Sequence, residues 1–313
     1  MSGRSAAPID LLHQPTPRFS VVVPTFDRPS QLAACVAALE LMERPGGALE
    51  IVVVNDGGAP PPPELTVRAA NLGGSCELRL IEQRNAGPAA ARNAGAAVAR
   101  GELIAFTDDD CLPEPAWLSA FDAALRVAPD ALLGGRTINA IGGSLYAEAS
   151  QQLADFVASY FDGGTGGRFF TSNNIALARD AFLAIGGFDT RFASSAGEDR
   201  ELCDRWSAQG RPSILVSEAI VCHAHALTAF RFLRQHFAYG RGAASFRRVR
   251  ADSGRPVRVD AAFYLRSLTF PFGRGLGARA PAIAVLAMVA HAAYAAGLLW
   301  ESTRNGARLA RQR

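Results

Sequence analysis

The sequence predicts an α/β fold with a mostly parallel central sheet, followed by a C-terminal helical, Arg-rich extension. Short apolar runs alternate with segments of helical spacing early in the chain, and this alternation is typical of parallel βαβ units. The chain of 313 residues is 49% hydrophobic and 19% charged, which indicates a globular protein rather than a disordered one. All 32 basic residues are Arg, and nearly half of them follow residue 225.

Four apolar runs predict the first strands of the sheet. They cover residues 19–23, 50–54, 78–81 and 103–106. Helical spacing in residues 30–41, and an Ala-rich segment from Pro88 to about Arg100, predict helices between them. Because the carboxyl ends of parallel strands meet at one edge of a sheet, the polar residues after these runs are expected to share a ligand-binding edge.

After residue 111 the pattern is less regular. Residues 132–138 and 214–225 predict strands, and residues 180–184 and 197–209 predict helices. Residues 142–167 are expected to form variable loops, with a flexible Gly-rich part at 163–167. Residues 60–63 are four consecutive Pro and predict an extended surface loop.

The last part of the chain is strongly basic. Residues 226–313 carry fifteen Arg against Asp252, Asp260 and Glu301, a formal charge of +12, whereas the preceding part carries −9. The apolar run 281–300 is long enough to span a bilayer. Its Ala richness and His291 fit a buried or interfacial helix equally well. The surrounding positive charge favours contact with an anionic membrane surface.

Cysteine spacing and the N-terminal composition indicate a compartment. The five Cys form no Cys-x-x-Cys pair, so the sequence predicts neither a zinc ribbon nor a disulfide framework and fits a reducing cytoplasm. The first twenty residues hold no long apolar core, so no secretory signal is expected. We expect a cytoplasmic protein, peripheral to or anchored at the cytoplasmic face of the inner membrane through its C-terminal segment. The Arg-rich segment contains no recognisable nucleic-acid-binding motif, so no nucleic-acid partner is expected.

Asp108, Asp109 and Asp110 follow the fourth apolar run. Three adjacent carboxylates repel one another, so an ordered loop that holds them needs a cation, hydrogen-bond donors or both. Oxygen ligands favour Mg²⁺ or Mn²⁺ over softer metals. An acidic turn that caps the helix beginning near Trp117 would have the same local sequence. The triplet alone therefore leaves a metal site and a helix cap open.

Five motifs occur in order between residues 19 and 225. They are Pro24-Thr25-Phe26-Asp27-Arg28, Asn55-Asp56-Gly57-Gly58, Ala91-Arg92-Asn93-Ala94-Gly95, the Asp108–Asp110 triplet and Gly197-Glu198-Asp199. In this order they resemble the family 2 glycosyltransferases, the inverting enzymes of the GT-A fold. The chain departs from the family pattern with Asn55 before the Asp and with Gly58 where Ser is usual. The resemblance implies a GT-A (Rossmann-like) nucleotide-diphospho-sugar transferase fold.

The resemblance also implies a division of the chain. Residues 1–17 would form an N-terminal tail, and residues 18–225 would form the GT-A domain. Within that domain, residues 18–111 would be the nucleotide-binding half and residues 112–225 the acceptor half. Residues 226–313 would be the basic helical extension.

The donor side of the site is assigned by the same resemblance. The nucleotide-sugar-binding residues would be Pro24, Thr25, Asp27, Asp56, Arg92, Asp108 and Asp109. Asp56 would accept a hydrogen bond from the base, and Asp108 would contact the ribose region. Asp110 and His223 would bind Mn²⁺ or Mg²⁺ at the diphosphate, with His225 as the alternative histidine. An exposed helical Arg and a structural His are the competing explanations for the basic residues.

On the acceptor side, the resemblance assigns Asp199 as the base that removes the proton of the attacking hydroxyl. Glu198, Asn173 and Asn174 would bind or orient the acceptor. The helix dipole also explains two acids in the first turn of a helix, and loop-stabilising hydrogen bonds also explain the two amides.

Together these expectations describe a metal-dependent inverting glycosyltransferase. It would move a sugar from a nucleotide-diphosphate donor to a hydroxyl of a glycan, a lipid-linked acceptor or a cell-envelope precursor. A nucleotidyltransferase is the competing enzyme class, although the turn after the first strand is a poor substitute for its basic, Gly-rich phosphate loop. A non-catalytic module that binds a sugar nucleotide is the third hypothesis. The sequence contains neither a Walker phosphate loop nor a Gly-x-Gly-x-x-Gly fingerprint, which argues against ATPases and dehydrogenases.

Overall fold

The computed structural model describes residues 16–70, 75–161, 168–192, 196–224, 226–257 and 261–310. An eight-stranded sheet lies at its centre. The strands are β1 (Phe19–Thr25), β2 (Leu49–Asn55), β3 (Cys76–Glu82), β4 (Leu103–Phe106), β5 (Cys111–Pro113), β6 (Leu132–Asn139), β7 (Ile175–Ala178) and β8 (Ser213–His223). Their spatial order is β3-β2-β1-β4-β7-β6-β8-β5. The four strands predicted first all form, each with ends within two residues of the prediction.

Strand direction divides the sheet into two parts. β1, β2, β3 and β4 are parallel to one another, as the βαβ alternation predicted. β7 runs antiparallel to both β4 and β6, β6 is parallel to β8, and β5 is antiparallel to β8. The first part is therefore wholly parallel and the second is mixed, which confirms a mostly parallel α/β sheet.

Helices cover both faces of the sheet. They are α1 (Pro29–Glu40), α2 (Pro63–Ala70), α3 (Pro88–Val98), α4 (Trp117–Val127), α5 (Leu145–Phe161), α6 (Arg179–Ala184), α7 (Glu198–Ala208), α8 (Ala229–Asp252), α9 (Ala261–Thr269) and α10 (Ala280–Ala310). Successive side chains of a strand point to opposite faces, so Val21 and Val23 pack against α1, α2 and α4, while Val22 packs against α3, α6 and α7. Fully buried strands of this kind need helices on both sides.

One loop prediction was wrong, and another ends one residue too late. Residues 142–167 were expected to be variable loops, but Leu145–Phe161 form α5, which buries Ala149 and Phe156. The Pro-rich loop ends earlier than expected, because Pro63 begins α2, where its missing N–H costs no helical hydrogen bond. The Gly-rich segment 163–167 lies outside the described residues.

The C-terminal extension packs on the sheet domain. Its helices α8 and α10 form a third apolar cluster with α5, in which Ala149, Phe232, Ile283 and Ala290 are buried. An ion pair between Arg241 Nε and Glu301 Oε2, at 2.8 Å, joins α8 to α10. The predicted boundary after residue 225 therefore separates segments that share a core.

Candidate active site

Three strand ends meet at one edge of the sheet, where the predicted donor residues lie. Thr25 is the last residue of β1, Asp56 follows β2, and the acidic triplet follows β4. Parallel pairing places Thr25 beside Asn55, and the Asp56 N–H donates to the Thr25 carbonyl at 2.9 Å. This is the carboxyl edge at which open α/β sheets bind ligands.

Asp56 holds the loop between β3 and α3. Its Oδ1 accepts hydrogen bonds from Gln83 Nε2 (2.6 Å) and the Ala86 N–H (2.9 Å), and its Oδ2 accepts from the Gly87 N–H (2.8 Å). A carboxylate can accept about four hydrogen bonds, so capacity for one further donor remains. The base contact of Asp56 therefore stays a prediction.

The turn after β1 is fixed against the loop after β2. Asp27 has a positive φ of 54°, and its Oδ1 accepts from the Ala59 N–H at 2.7 Å. A Cβ atom at Gly58 would lie 2.5 Å from the Asp27 nitrogen. This close approach gives a physical reason for Gly at a position where the family usually has Ser.

The Asp109 side chain is more deeply buried than those of Asp108 and Asp110. It is 4% exposed, and its two carboxylate oxygens accept from Thr25 Oγ1 (2.7 Å) and Arg28 Nη1 (3.1 Å). Burial raises the pKa of Asp109 to about 6, although the Arg28 charge opposes the shift. This carboxylate holds the turn after β1 to the acidic triplet. The role of Asp109 in nucleotide-sugar binding stays a prediction, as an indirect one.

Asp110 and His223 meet because β5 pairs with β8. This pairing places His223 opposite Cys111, and His223 Nε2 lies 3.2 Å from Asp110 Oδ1. Burial opposes protonation of His223, but the hydrogen bond to Asp110 and the charges of Asp110 and Asp108 together outweigh it, so the pKa of the imidazole is raised. The alternative histidine, His225, lies outside the described residues.

The residues around Asp110 fit a divalent cation. One ligand atom each from Asp110, Cys111 and His223 lie within 4.8 Å of one another. Burial raises the pKa of the Cys111 thiol well above its usual value. A soft sulfur ligand is also poorly suited to Mg²⁺ or Mn²⁺, which prefer oxygen ligands. A carboxylate and an imidazole remain, which agrees with the one or two protein ligands that Mg²⁺ and Mn²⁺ usually bind alongside phosphate oxygens.

Arg92 joins the donor side to the acceptor side. It lies on α3 and is 3% exposed. Its Nη2 donates to Asp108 Oδ1 at 2.6 Å, and its Nη1 donates to Glu198 Oε1 at 3.1 Å. The competing explanation of an exposed helical Arg is therefore wrong. One planar guanidinium holds the acids after β4 next to the acids at the start of α7.

Glu198 and Asp199 begin α7, after Gly197 with its φ of 125°. Asp199 Oδ1 accepts from the Arg200 N–H at 2.7 Å. Burial raises the pKa of Glu198 to about 7, helped by the charge of Asp199, and burial also raises the pKa of Asp199. The pair therefore resists ionisation more than exposed carboxylates do, which suits a group that must accept a proton near neutral pH.

The two predicted acceptor amides differ in burial and partners. Asn174 is 1% exposed; its Nδ2 donates to the Arg136 and Ala219 carbonyls, and its Oδ1 accepts from Trp117 Nε1. The predicted acceptor contact of Asn174 is corrected, because its hydrogen-bonding groups are used inside the fold. Asn173 lies nearer the site, with Nδ2 3.7 Å from Cys111 Sγ. Its acceptor contact stays a prediction.

Two positions near the site were not predicted to be functional. Arg28 donates to both Asp109 and Asp110 and keeps 44% of its side chain exposed. It closes the Pro-Thr-x-x-Arg turn, so the motif contained the signal. Gly242 of α8 contacts the carbonyl of Ala196, just before the acidic pair. Nothing in the local sequence of α8 indicates that contact.

Comparisons with known proteins identify the family of the chain and its fold. The family model described as Glycosyl transferase family 2 matches residues 20–186. The chain is 26% identical over 270 residues to the pre-mycofactocin glycosyltransferase of Mycobacterium tuberculosis, covering 82% of this chain and 53% of the relative. It is 24% identical over 235 residues to the glycosyltransferase AglE of Haloferax volcanii, covering 72% and 73% of the two. The chain thus spans about half the length of the M. tuberculosis relative.

Solved structures share the fold. The mannosyltransferase PcManGT from Pyrobaculum calidifontis, in complex with GDP-Man and Mn²⁺, superposes with a TM-score of 0.60 at 19% identity, covering 94% of this chain and 80% of that one. TarS 1-349 from S. aureus, in complex with UDP-GlcNAc, superposes with a TM-score of 0.52 at 16% identity, covering 92% of each chain. At these identities the likeness shows the fold alone, which is the GT-A fold.

Proposed function

Because the chain belongs to glycosyl transferase family 2, we propose that it transfers a sugar from a nucleotide-diphosphate donor to a hydroxyl acceptor, with inversion at the anomeric carbon. The observation that carries this proposal is the Arg92 bridge, which holds Asp108 and Glu198 at the two ends of one guanidinium. An inverting transfer needs a leaving-group site and a base on opposite sides of one sugar. The Arg92 bridge, which brings an acid after β4 and an acid at the start of α7 to one side chain, supports a transfer site between these two clusters.

On the donor side, Thr25, Asp27, Asp56 and Asp108 would surround the nucleotide at the carboxyl edge of the sheet. Asp110 and His223 would hold Mn²⁺ or Mg²⁺, which would stabilise the charge that develops on the departing diphosphate. The GDP-Man and Mn²⁺ bound to PcManGT and the UDP-GlcNAc bound to TarS support this choice of donor and cation. Arg28 keeps a cationic group at the same carboxylates.

On the acceptor side, Asp199 would accept the proton of the attacking hydroxyl. Its raised pKa brings it closer to the range in which a general base works best at neutral pH. Glu198 and Arg92 would orient it, and Asn173 would contact the acceptor. The acceptor would be a glycan, a lipid-linked precursor or a cell-envelope precursor at the cytoplasmic face of an anionic membrane. The segment Gly277–Arg304, which includes most of α10 and has a mean hydropathy of 2.0, has the length and composition of a helix that crosses a membrane, and this supports membrane contact.

The first experiment identifies a donor and then removes the proposed residues. A thermal-shift screen of nucleoside diphosphates and their sugars, with and without Mn²⁺, selects the donor. We expect Asp110→Asn and Asp199→Asn each to lower nucleoside diphosphate release by at least about 100-fold, because each removes one side of the transfer. Asp180→Asn is the matched control, since the Asp180 side chain is 95% exposed on α6.

The products separate the alternatives. Released pyrophosphate would indicate a nucleotidyltransferase, and tight sugar-nucleotide binding without turnover would indicate a non-catalytic module. Normal turnover in folded Asp110→Asn or Asp199→Asn would show that the role given to that residue is wrong.

A further inference from the structure

One face of α10 is buried by the rest of the protein. The inward positions recur at spacings of three and four residues, which places them on one side of a helix. They are Ala280, Ile283, Ala287, Ala290, Gly297 and Glu301. This side contacts α8 and α5, so α10 is part of the fold.

The opposite face of α10 is apolar and exposed. Val285, Met288, Val289, Leu299 and Trp300 are between 38% and 63% exposed. The sequence from residue 281 to residue 300 contains no charged side chain, so the outward face is apolar for about 30 Å. Helices of soluble proteins carry polar residues on the side that faces water. A continuous apolar face of this length indicates a binding surface.

The contacts of α10 with α8 argue against a bilayer-spanning helix. A methyl group at Gly240 or Gly297 would overlap the main chain of the opposing helix, so the two helices cross at close range. The Arg241–Glu301 ion pair adds to the contact. If α10 spanned a bilayer, it would have to separate from α8 or carry α8 into the membrane with it. The second outcome would place the exposed Arg234 and Arg248 of α8 in hydrocarbon, and both outcomes are costly.

Positive charge surrounds the apolar face. Arg279 precedes α10, Arg304 follows the apolar part, and Arg266 lies on α9 beside the exposed Leu265. Arg274 also precedes α10, but it pairs with Asp155 of α5 at 3.1 Å. Among the described residues of the extension, Asp252 is the exposed acidic one. Like charges around the face oppose the docking of a second copy of the chain, whereas they attract anionic headgroups.

A cavity of about 490 Å³ adjoins this face. Leu298 and Leu299 line its apolar side, and Arg247, Tyr294 and His291 supply polar groups. None of the described residues that line it is acidic. A fixed cation beside apolar walls is suited to the phosphate of a lipid whose chains lie along α10.

We propose that α10 lies in the plane of an anionic bilayer, with its outward face in the headgroup region and one phospholipid phosphate in the cavity at Arg247. This inference deepens the proposed membrane contact, and it is independent of the donor because it concerns a surface on the extension. In-plane binding would hold the sheet domain at the membrane surface, where a lipid-linked acceptor could reach the site.

Vesicle binding tests the proposal with the full chain and no sugar donor. Trp117 and Trp206 are fully buried, whereas Trp300 is 58% exposed, so a blue shift of tryptophan emission reports contact at α10. We expect the shift with vesicles of phosphatidylcholine and phosphatidylglycerol at low salt, and little or none with phosphatidylcholine alone. Met288→Glu should weaken binding by at least about tenfold. Val127→Glu, at an 88% exposed position on α4, should leave binding unchanged.

Depth and headgroup selectivity complete the test. With Trp300→Phe as background, Met288→Trp should be quenched best by lipids brominated near the headgroup, because mid-helix residues stay shallow in an in-plane helix. Best quenching near the bilayer centre would show a spanning helix and overturn the proposal. Arg247→Gln should reduce the preference for anionic vesicles. An unchanged preference would show that the cavity at Arg247 does not bind the lipid phosphate. Failure to bind vesicles, or a dimer that covers Trp300, would refute the proposed membrane-binding surface. If donor turnover is undiminished in the same preparation, the proposed function is unaffected by that result.

Discussion

Arg92 connects the two halves of the candidate site through one side chain. Its guanidinium is buried against the face of Phe188, with 5.5 Å between its central carbon and the ring centroid. Its partners Asp108 and Glu198 come from different halves of the sheet domain. Lys at this position would carry the charge but not the planar fork that reaches both carboxylates.

The acidic pair at α7 predicts a pH dependence. Asp199 must be ionised to accept a proton, and burial raises its pKa and that of Glu198, the latter to about 7. A raised pKa leaves Asp199 protonated at low pH, so kcat/KM should fall toward acid pH, at a pH above the ordinary Asp value of 3.8. Glu198→Gln removes a like charge and should move this acid limb about one pH unit lower.

Full pH profiles of donor turnover would check that shift. Glu218→Gln, an exposed position on β8, serves as the control and should keep the wild-type profile. If kcat/KM of Glu198→Gln falls at the same acid pH as that of wild type, the charge of Glu198 does not affect the pKa of Asp199.

At the scale of elements, β2 carries a buried charge at the end opposite the site. Glu50 is fully buried, and its Oε1 accepts from Arg79 Nη1 (3.0 Å) and Arg100 Nε (2.9 Å). Ser20 of β1 and the Arg100 N–H bond its Oε2. This carboxylate therefore joins β1, β2, β3 and the segment before β4.

Removal of that charge should destabilise the sheet. We expect Glu50→Gln to lower the free energy of unfolding by about 2–3 kcal/mol, because the carboxylate is buried and its partners lose their counter-charge. Burial alone would raise the pKa of Glu50, but the hydrogen bonds from Ser20, Arg100 and Arg79 lower it from its ordinary value of 4.5. The stabilisation is therefore present above pH 4.5 and is lost as the pH falls through the lowered pKa.

Urea unfolding between pH 7 and pH 3, roughly, measures both effects. The difference between wild type and Glu50→Gln should shrink toward the acid end of that range. Glu43→Gln, at an exposed position, is the control and should match wild type throughout. A constant difference across the range would mean that packing rather than charge explains the loss.

At the scale of the whole molecule, the extension supports the segment that carries the acidic pair. A methyl group at Gly242 of α8 would overlap the Ala196 carbonyl, two residues before Glu198. Arg250 and Arg255 also pair with Asp204 of α7, at 3.0 and 3.1 Å. The basic extension therefore positions part of the candidate site.

A larger residue at the α8–α7 contact should impair transfer. Gly242→Val would displace the segment before the acidic pair, and we expect donor turnover to fall by at least about tenfold, since small displacements of a reacting group are costly. Gly273→Val is the control, because a side chain at Gly273 would meet no neighbouring atom. Circular dichroism should show both variants folded. Full turnover in Gly242→Val would separate the extension from catalysis.

Prediction from sequence succeeded where the signal was local. The strands were visible as apolar runs, and the acids lay at their ends, so the fold class and the positions of Asp56, Asp108 and Asp110 followed from short windows of sequence. Asn174 was given a ligand contact because a motif names residues but not their orientation. That Thr25 and Arg28 bond both carboxylate oxygens of Asp109 depends on strands that are distant in the chain.

The sequence by itself determined the α/β alternation, the order of the motifs and the charge of the extension, because each of these is encoded by neighbouring residues. The tertiary structure alone decided that Arg92 bridges to Glu198 and that α10 packs one face on α8, whereas the proximity of His223 to Asp110 was expected only through the family resemblance. These contacts depend on strand pairing and helix packing between residues far apart in the chain. Local propensity and periodicity carry no information about such partners.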